Sequence, residues 1–220
     1  MRFDTVPIPP SVDARPRDVR GYPVPAITPW EGDQPQFALT DYGRSADCAR
    51  ERLCSVCNLL MPEGPVWRVV GEAESAAIAE ALEAGRPYRN MAPTLEGPGH
   101  RACMLYASMV CPYLARPNAR RRQSAEQPDE MTGHVVRGAV RGTTGAVVGF
   151  ADYEYGITET RVLFRFIDVV EFLPHDNADE HLADLKTELG PRARPEPRPP
   201  RPAGRRARGL GAGRPRGPPR

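Results

Sequence analysis

Cys54 and Cys57 are separated only by Ser55 and Val56, so one tight turn can direct both thiolates at a single ion. His100 and Cys103 repeat that spacing further along, and residues three apart at the start of a helix share one face. The first pair alone would read equally well as a redox motif; the second pair directs the reading to metal. Three thiolates and an imidazole suit zinc better than calcium, magnesium or copper(II). With all four positions filled by protein, no site remains for a bound water, so the expected zinc is structural and not catalytic.

The chain holds five cysteines, an odd number, which argues against a disulfide framework. Residues 1–10 include Arg2 and Asp4 and no apolar leader, and no apolar run approaches a membrane span. The expected location is therefore the cytoplasm, with no membrane partner, where clustered cysteines are more often metal ligands than disulfides. The two cysteines outside the quartet read differently. Cys111 lies eight residues past Cys103, about 12 Å along a helix, too far to share an ion and better read as a small buried residue. Cys48 precedes Cys54 by six residues and reads as a half-buried thiol on the preceding helix.

Positioning the quartet requires particular elements. A loop over 54–65 must carry the first pair, and a helix over 100–111, ended by Pro112, must carry the second. The 42 residues between the pairs must hold a strand over 66–70 and an alanine-rich helix over 75–84 with Gly85 beyond its end. Upstream, 22–28 and 36–39 predict a hairpin about the turn at 31–34, followed by a helix over 47–53 capped by Ser45. Downstream, 145–155 and 160–172 predict an antiparallel pair with Gly156 between the strands. Residues 178–189 predict an amphipathic helix on Leu182, Leu185 and Leu189.

The run Tyr22-Pro-Val-Pro25, the string from Arg50 to Cys57, Gly97-Pro-Gly-His100, Cys103 and Cys111-Pro-Tyr-Leu114 together resemble a group of uncharacterised proteins from actinobacteria and their phages. The similarity covers about residues 20–175. It implies a metal-bound module and brings no activity with it. The group usually has glycine after the second cysteine where this chain has Asn58; asparagine tolerates left-handed geometry, so the turn is expected to survive.

The expected fold is α+β: a small treble-clef-like, zinc-stabilised domain with short antiparallel strands and disordered termini. Its parts are a disordered arm over 1–20, a zinc-binding domain over 21–117 and a linker over 118–132. A hairpin plus helix over 133–190, packed on the zinc domain, and a disordered tail over 191–220 complete the chain. Of the net charge of +2, the tail accounts for about +9 through ten arginines against Glu196, which leaves about −7 on residues 1–190.

The main reading of function is a non-enzymatic binding or adaptor module, its proline-rich ends offered to a protein partner's aromatic groove. The alternative is salt-sensitive, sequence-independent nucleic-acid binding through the arginines from Arg192 to Arg220. A solubilising role competes with it, because the basic residues are almost all arginine, with Lys186 the sole lysine, as GC-rich coding produces. A treble-clef nuclease is the weakest reading. It would need His134, isolated among Gly and Val, or a second metal at His175 and His181. There, Asp176, Asp179 and Glu180 are explained more simply as acids at a helix N-terminus.

Overall fold

Residues 5–88, 93–111, 145–174 and 178–190 are described by the computed structural model of the chain. Proline dictates much of its first part. Pro10, with φ already fixed for a helix, opens the short helix Pro10–Asp13 (α1). Further on, Trp30–Glu31 (β1) and Gln34–Pro35 (β2) pair across Gly32, whose φ of 55° serves the turn. The hairpin is therefore shorter than the sequence predicts, and 22–28 and 36–39 are not its strands. The reason lies in the backbone donors: Val24 N–H goes to the Pro16 carbonyl, Ala26 N–H to Val56 and Ile27 N–H to Ser55. The segment 22–28 is spent on the loop of Cys54 and Cys57 and on the N-terminal residues instead.

Tyr42–Glu51 forms the next helix (α2), capped by the Asp41 carboxylate accepting from Arg44 N–H at 2.9 Å. Asp41 takes the role expected of Ser45, which is buried inside the helix. The carboxylate begins the helix at Tyr42, well before the expected start at 47. Arg52, left-handed at φ 54°, ends it.

Val66–Gly71 (β3) runs directly into Glu72–Glu83 (α3), with Glu72 and Glu74 placed favourably in the first turn and Gly85 beyond the end at φ 62°. Arg101–Val110 (α4), Gly145–Ile157 (β4), Val162–Pro174 (β5) and Ala178–Leu189 (α5) complete the described elements. The fold is mixed helix and antiparallel sheet, with strand order β3-β4-β5. Gly156 is not the turn between the last two strands: it pairs with Leu163 inside β4. The reversal comes at 158–161, where Thr158 N–H donates to the Arg161 carbonyl and Arg161 N–H to the Thr158 hydroxyl.

β5 alternates as a strand with one buried face should, Val162, Phe164 and Phe166 pointing inward. Residues 145–150 of β4 are buried throughout, because α3 and α4 lie against this end of the sheet. Phe150, Phe164, Phe166, Ile78, Leu105 and Leu185 fill one continuous core with the cysteine loop. The N-terminal residues, expected as a loose arm, are partly packed: Val6, Pro7, Pro9 and Val12 are buried, with Val6 and Val12 in that same core. The prolines between the two valines reduce the entropy of ordering this segment. The expected linker over 118–132 and the tail over 191–220 lie outside the described residues.

Candidate metal centre

The first pair sits in a turn stitched by its own backbone. Leu53 and Leu60 form an antiparallel bridge, Cys54 N–H donates to the Leu59 carbonyl at 2.9 Å, and Asn58 N–H donates to Cys54 at 2.8 Å. The reversal falls on Asn58 at φ 66°, in the left-handed region that asparagine enters more readily than most residues. Leu59 N–H then points back at the Cys57 thiol.

The second pair arrives through Gly97-Pro-Gly-His100. Ser55 donates from N–H to the Pro98 carbonyl (2.8 Å) and from its hydroxyl to Gly97 (3.1 Å), while Gly99 and Trp67 exchange both backbone bonds at 2.9 Å. A methyl group at Gly99 would collide with the end of the Met104 side chain and stand 3.2 Å from Cys54 Sγ, so a side chain here would require both to shift. His100 is the extended cap of α4 and Cys103 lies in its first turn, so both face the loop of Cys54 and Cys57.

One candidate ligand atom from each of Cys54, Cys57, His100 and Cys103 lies within 4.8 Å of all the others. Cys57 Sγ is 3.4 Å and Cys103 Sγ 3.9 Å from His100 Nδ1. A tetrahedral ion with bonds of about 2.3 Å to sulfur and about 2.0 Å to nitrogen holds such atoms about 3.6 Å apart. The separations fit. His100 Nε2 lies 3.2 Å from the Leu60 carbonyl, which can only accept; the proton therefore belongs on Nε2, and Nδ1 is left with a lone pair for a metal.

The electrostatics follow from crowding. Hydrogen bonding from Cys103 and then Cys54 drives the Cys57 thiol far below its usual range, whereas bonding to Cys54 and Cys57 drives Cys103 upward. His100 is pushed up to about 10 by its contacts with Cys54 and Cys57, so a metal binding at Nδ1 would displace a proton. Three sulfurs and an imidazole held this closely make a buried pocket of electron pairs that attracts positive charge. These four can hold a metal ion.

No known protein family, curated protein or solved structure matches this chain. The site therefore stands on its geometry.

Other candidate residues fall elsewhere. Cys48 is fully buried rather than half-buried, because α2 turns it beneath the metal loop, and burial first of all raises its thiol to about 12. Cys111 is half-buried at the end of α4 and not enclosed, since the helix stops there and its last residue is only partly covered. His181 is a core histidine: Nε2 lies 3.0 Å from the Pro174 carbonyl and Nδ1 3.2 Å from the Ser108 hydroxyl. Among the described residues the quartet is the one group of three or more metal-type ligands. His134, His175, Asp176 and the arginines from Arg192 to Arg220 lie outside those residues. No helix among the described residues is long and apolar enough to cross a membrane. The roles of Leu60 and Gly99 and the contacts from Ser11 and Arg15 are not legible in the sequence. Only the GPGH spacing hints at a close approach.

Proposed function

We propose that Cys54, Cys57, His100 and Cys103 bind one structural zinc ion and that this ion holds a treble-clef-like module together. The observation that carries the reading is the convergence of four ligand atoms within 4.8 Å, with the histidine's second nitrogen tied to Leu60. Three sulfurs and one nitrogen favour zinc over the hard cations, and the protein fills all four tetrahedral positions, which suits a structural role. The pattern of a turn-borne pair plus a first-turn helix pair supports the treble-clef description. Elemental analysis of the purified chain tests it: one zinc per chain is expected, with release on titrating the thiols. A chain free of zinc, folded and with its thiols freely titrating would overturn it.

On this reading the domain is a rigid platform for binding, not a centre of chemistry. The charge separation along the sequence favours one kind of partner: about +9 on residues 191–220 suits ionic contact with nucleic acid, released by salt. Random duplex should shift at low ionic strength and not after deletion of residues 191–220; unchanged mobility of the full chain would remove this reading.

A further inference from the structure

We propose that residues 5–18 form a strap completing the outer shell of the metal centre, with Ser11 and Arg15 as its positioning residues. The inference rests on the zinc reading above. Metal ligands need partners beyond the first layer to fix their orientation and balance their charge. His100 has Leu60 for this purpose. Cys57 has the Leu59 N–H, and Cys103 finds a partner on a segment far away in the sequence.

Ser11 Oγ lies 3.8 Å from Cys103 Sγ, within hydrogen-bonding range for sulfur. Arg15 follows Ser11 by four residues, just past the C-cap Ala14 of α1. It is half-buried and lines a concavity with Leu53 and Asn58, the residues flanking the first cysteine pair, and with Arg44, Asp47 and Glu51. Its Nε donates to the Val24 carbonyl at 3.3 Å, and no carboxylate forms an ion pair with it among the described residues. Burial first, and then the neighbouring Arg44, hold its pKa below the usual arginine value, and Cys57, Cys48 and Cys54 offset part of that.

Charge completes the argument. A divalent ion with three thiolates and a neutral imidazole carries one net negative charge in a largely buried site. Arg15 borders the loop that carries Cys54 and Cys57, where a guanidinium would offset part of that charge. The strap is anchored on both sides of Arg15: Val6 and Val12 enter the core, and Val24 N–H ties the segment down through the Pro16 carbonyl at 2.8 Å. The Asp18 turn closes it. Burial would raise that carboxyl, but hydrogen bonds from the Tyr22 and Arg20 N–H groups and the Arg20 guanidinium hold it below the usual carboxylate range.

The test uses the full chain loaded with one zinc and mixed with an excess of a chromogenic chelator. Arg15→Gln should start with one zinc but release it faster, on the order of tenfold, as loss of an outer-shell partner does elsewhere. Ser11→Ala should have a smaller effect in the same direction, and Arg15→Lys, which keeps the charge, should stay near wild type. In the cobalt-substituted chain, Arg15→Gln should also move the thiolate-to-metal charge-transfer band to lower energy, a change that loosened packing alone would not produce. If Arg15→Gln does not fold, the Arg15→Lys and Ser11→Ala chains carry the test through the same two readouts. A double variant of Ser11→Ala and Arg15→Gln with wild-type release and an unmoved band would overturn the strap while leaving the zinc reading standing. A wild-type chain that binds no zinc would instead overturn the metal centre.

Discussion

Around the four candidate ligands, residues 53–61 and 97–100 form almost no regular structure, whereas β3, β4 and β5 make an antiparallel ladder a few residues away, with one irregularity at Gly149 and Phe150. The first region is fixed by directional contacts: turn hydrogen bonds, a left-handed Asn58, a glycine pressed against Cys54 and four converging ligand atoms. The second is fixed by area, with Phe150, Phe164 and Phe166 withdrawn from water and Phe150 and Phe166 4.9 Å apart. Directional contacts fail together when one is lost; buried area fails by degrees. The two regions share a core, so the sheet supplies a floor on which the loops can close, and a metal would supply what those loops lack.

Breaking that contrast should give effects of very different size. Replacing one ligand, as in Cys103→Ser, or stripping zinc with a chelator, should abolish most of the stability of the loop region. Structural zinc contributes on the order of 10–16 kcal/mol, comparable to the whole stability of a domain. Circular dichroism and thermal unfolding with and without zinc would register it. An unchanged melting temperature in the stripped protein would show that the loops need no ion. On the sheet side, Phe150→Ala should cost about 3–5 kcal/mol in urea unfolding while leaving zinc content at wild-type level. Loss of zinc in that variant would mean the two regions are not separable.

His181 gives a third handle. Burial holds its pKa below the ordinary 6.5, so the unfolded chain binds the proton more readily. Stability is therefore full above about pH 6.5 and declines as pH falls through that value toward the lower folded one. Acid also competes for the thiolates, so the measurement is a difference: denaturant midpoints of wild type and His181→Asn between pH 7.5 and 5.5. The wild type should show the steeper slope, and parallel slopes would exclude the histidine. Asn58→Val should cost about 1–2 kcal/mol, since a branched residue resists φ 66°, while Asn58→Gly should be neutral or slightly stabilising. Asp152→Asn, which removes the exposed partner of Arg52, should change stability by less than about 1 kcal/mol, and less still in high salt.

Periodic and punctuated elements are legible in the sequence. α5 spans the residues its leucines predict, and β3, α3 and α4 lie within a few residues of expectation, since proline, glycine and hydrophobic spacing act locally. The four ligand candidates are legible for the same reason: each pair is a short-range pattern. The long hairpin expected over 22–39 does not form because its donors bond to residues 16, 55 and 56, a destination no local pattern reveals. Gly156 reads as a turn and is a strand residue, since glycine permits a reversal without requiring one.

The sequence by itself determined which residues offer sulfur and nitrogen, and that each pair stands on one face of a turn or a helix, because spacing and backbone geometry are local properties. Whether two pairs 42 residues apart meet was decided only by the tertiary structure. Gly99 bonded to Trp67, Ser55 bonded to Gly97 and Pro98, and an N-terminal segment folded over the sulfurs are long-range contacts. They form because the sheet and its core bring those segments within a hydrogen bond of one another.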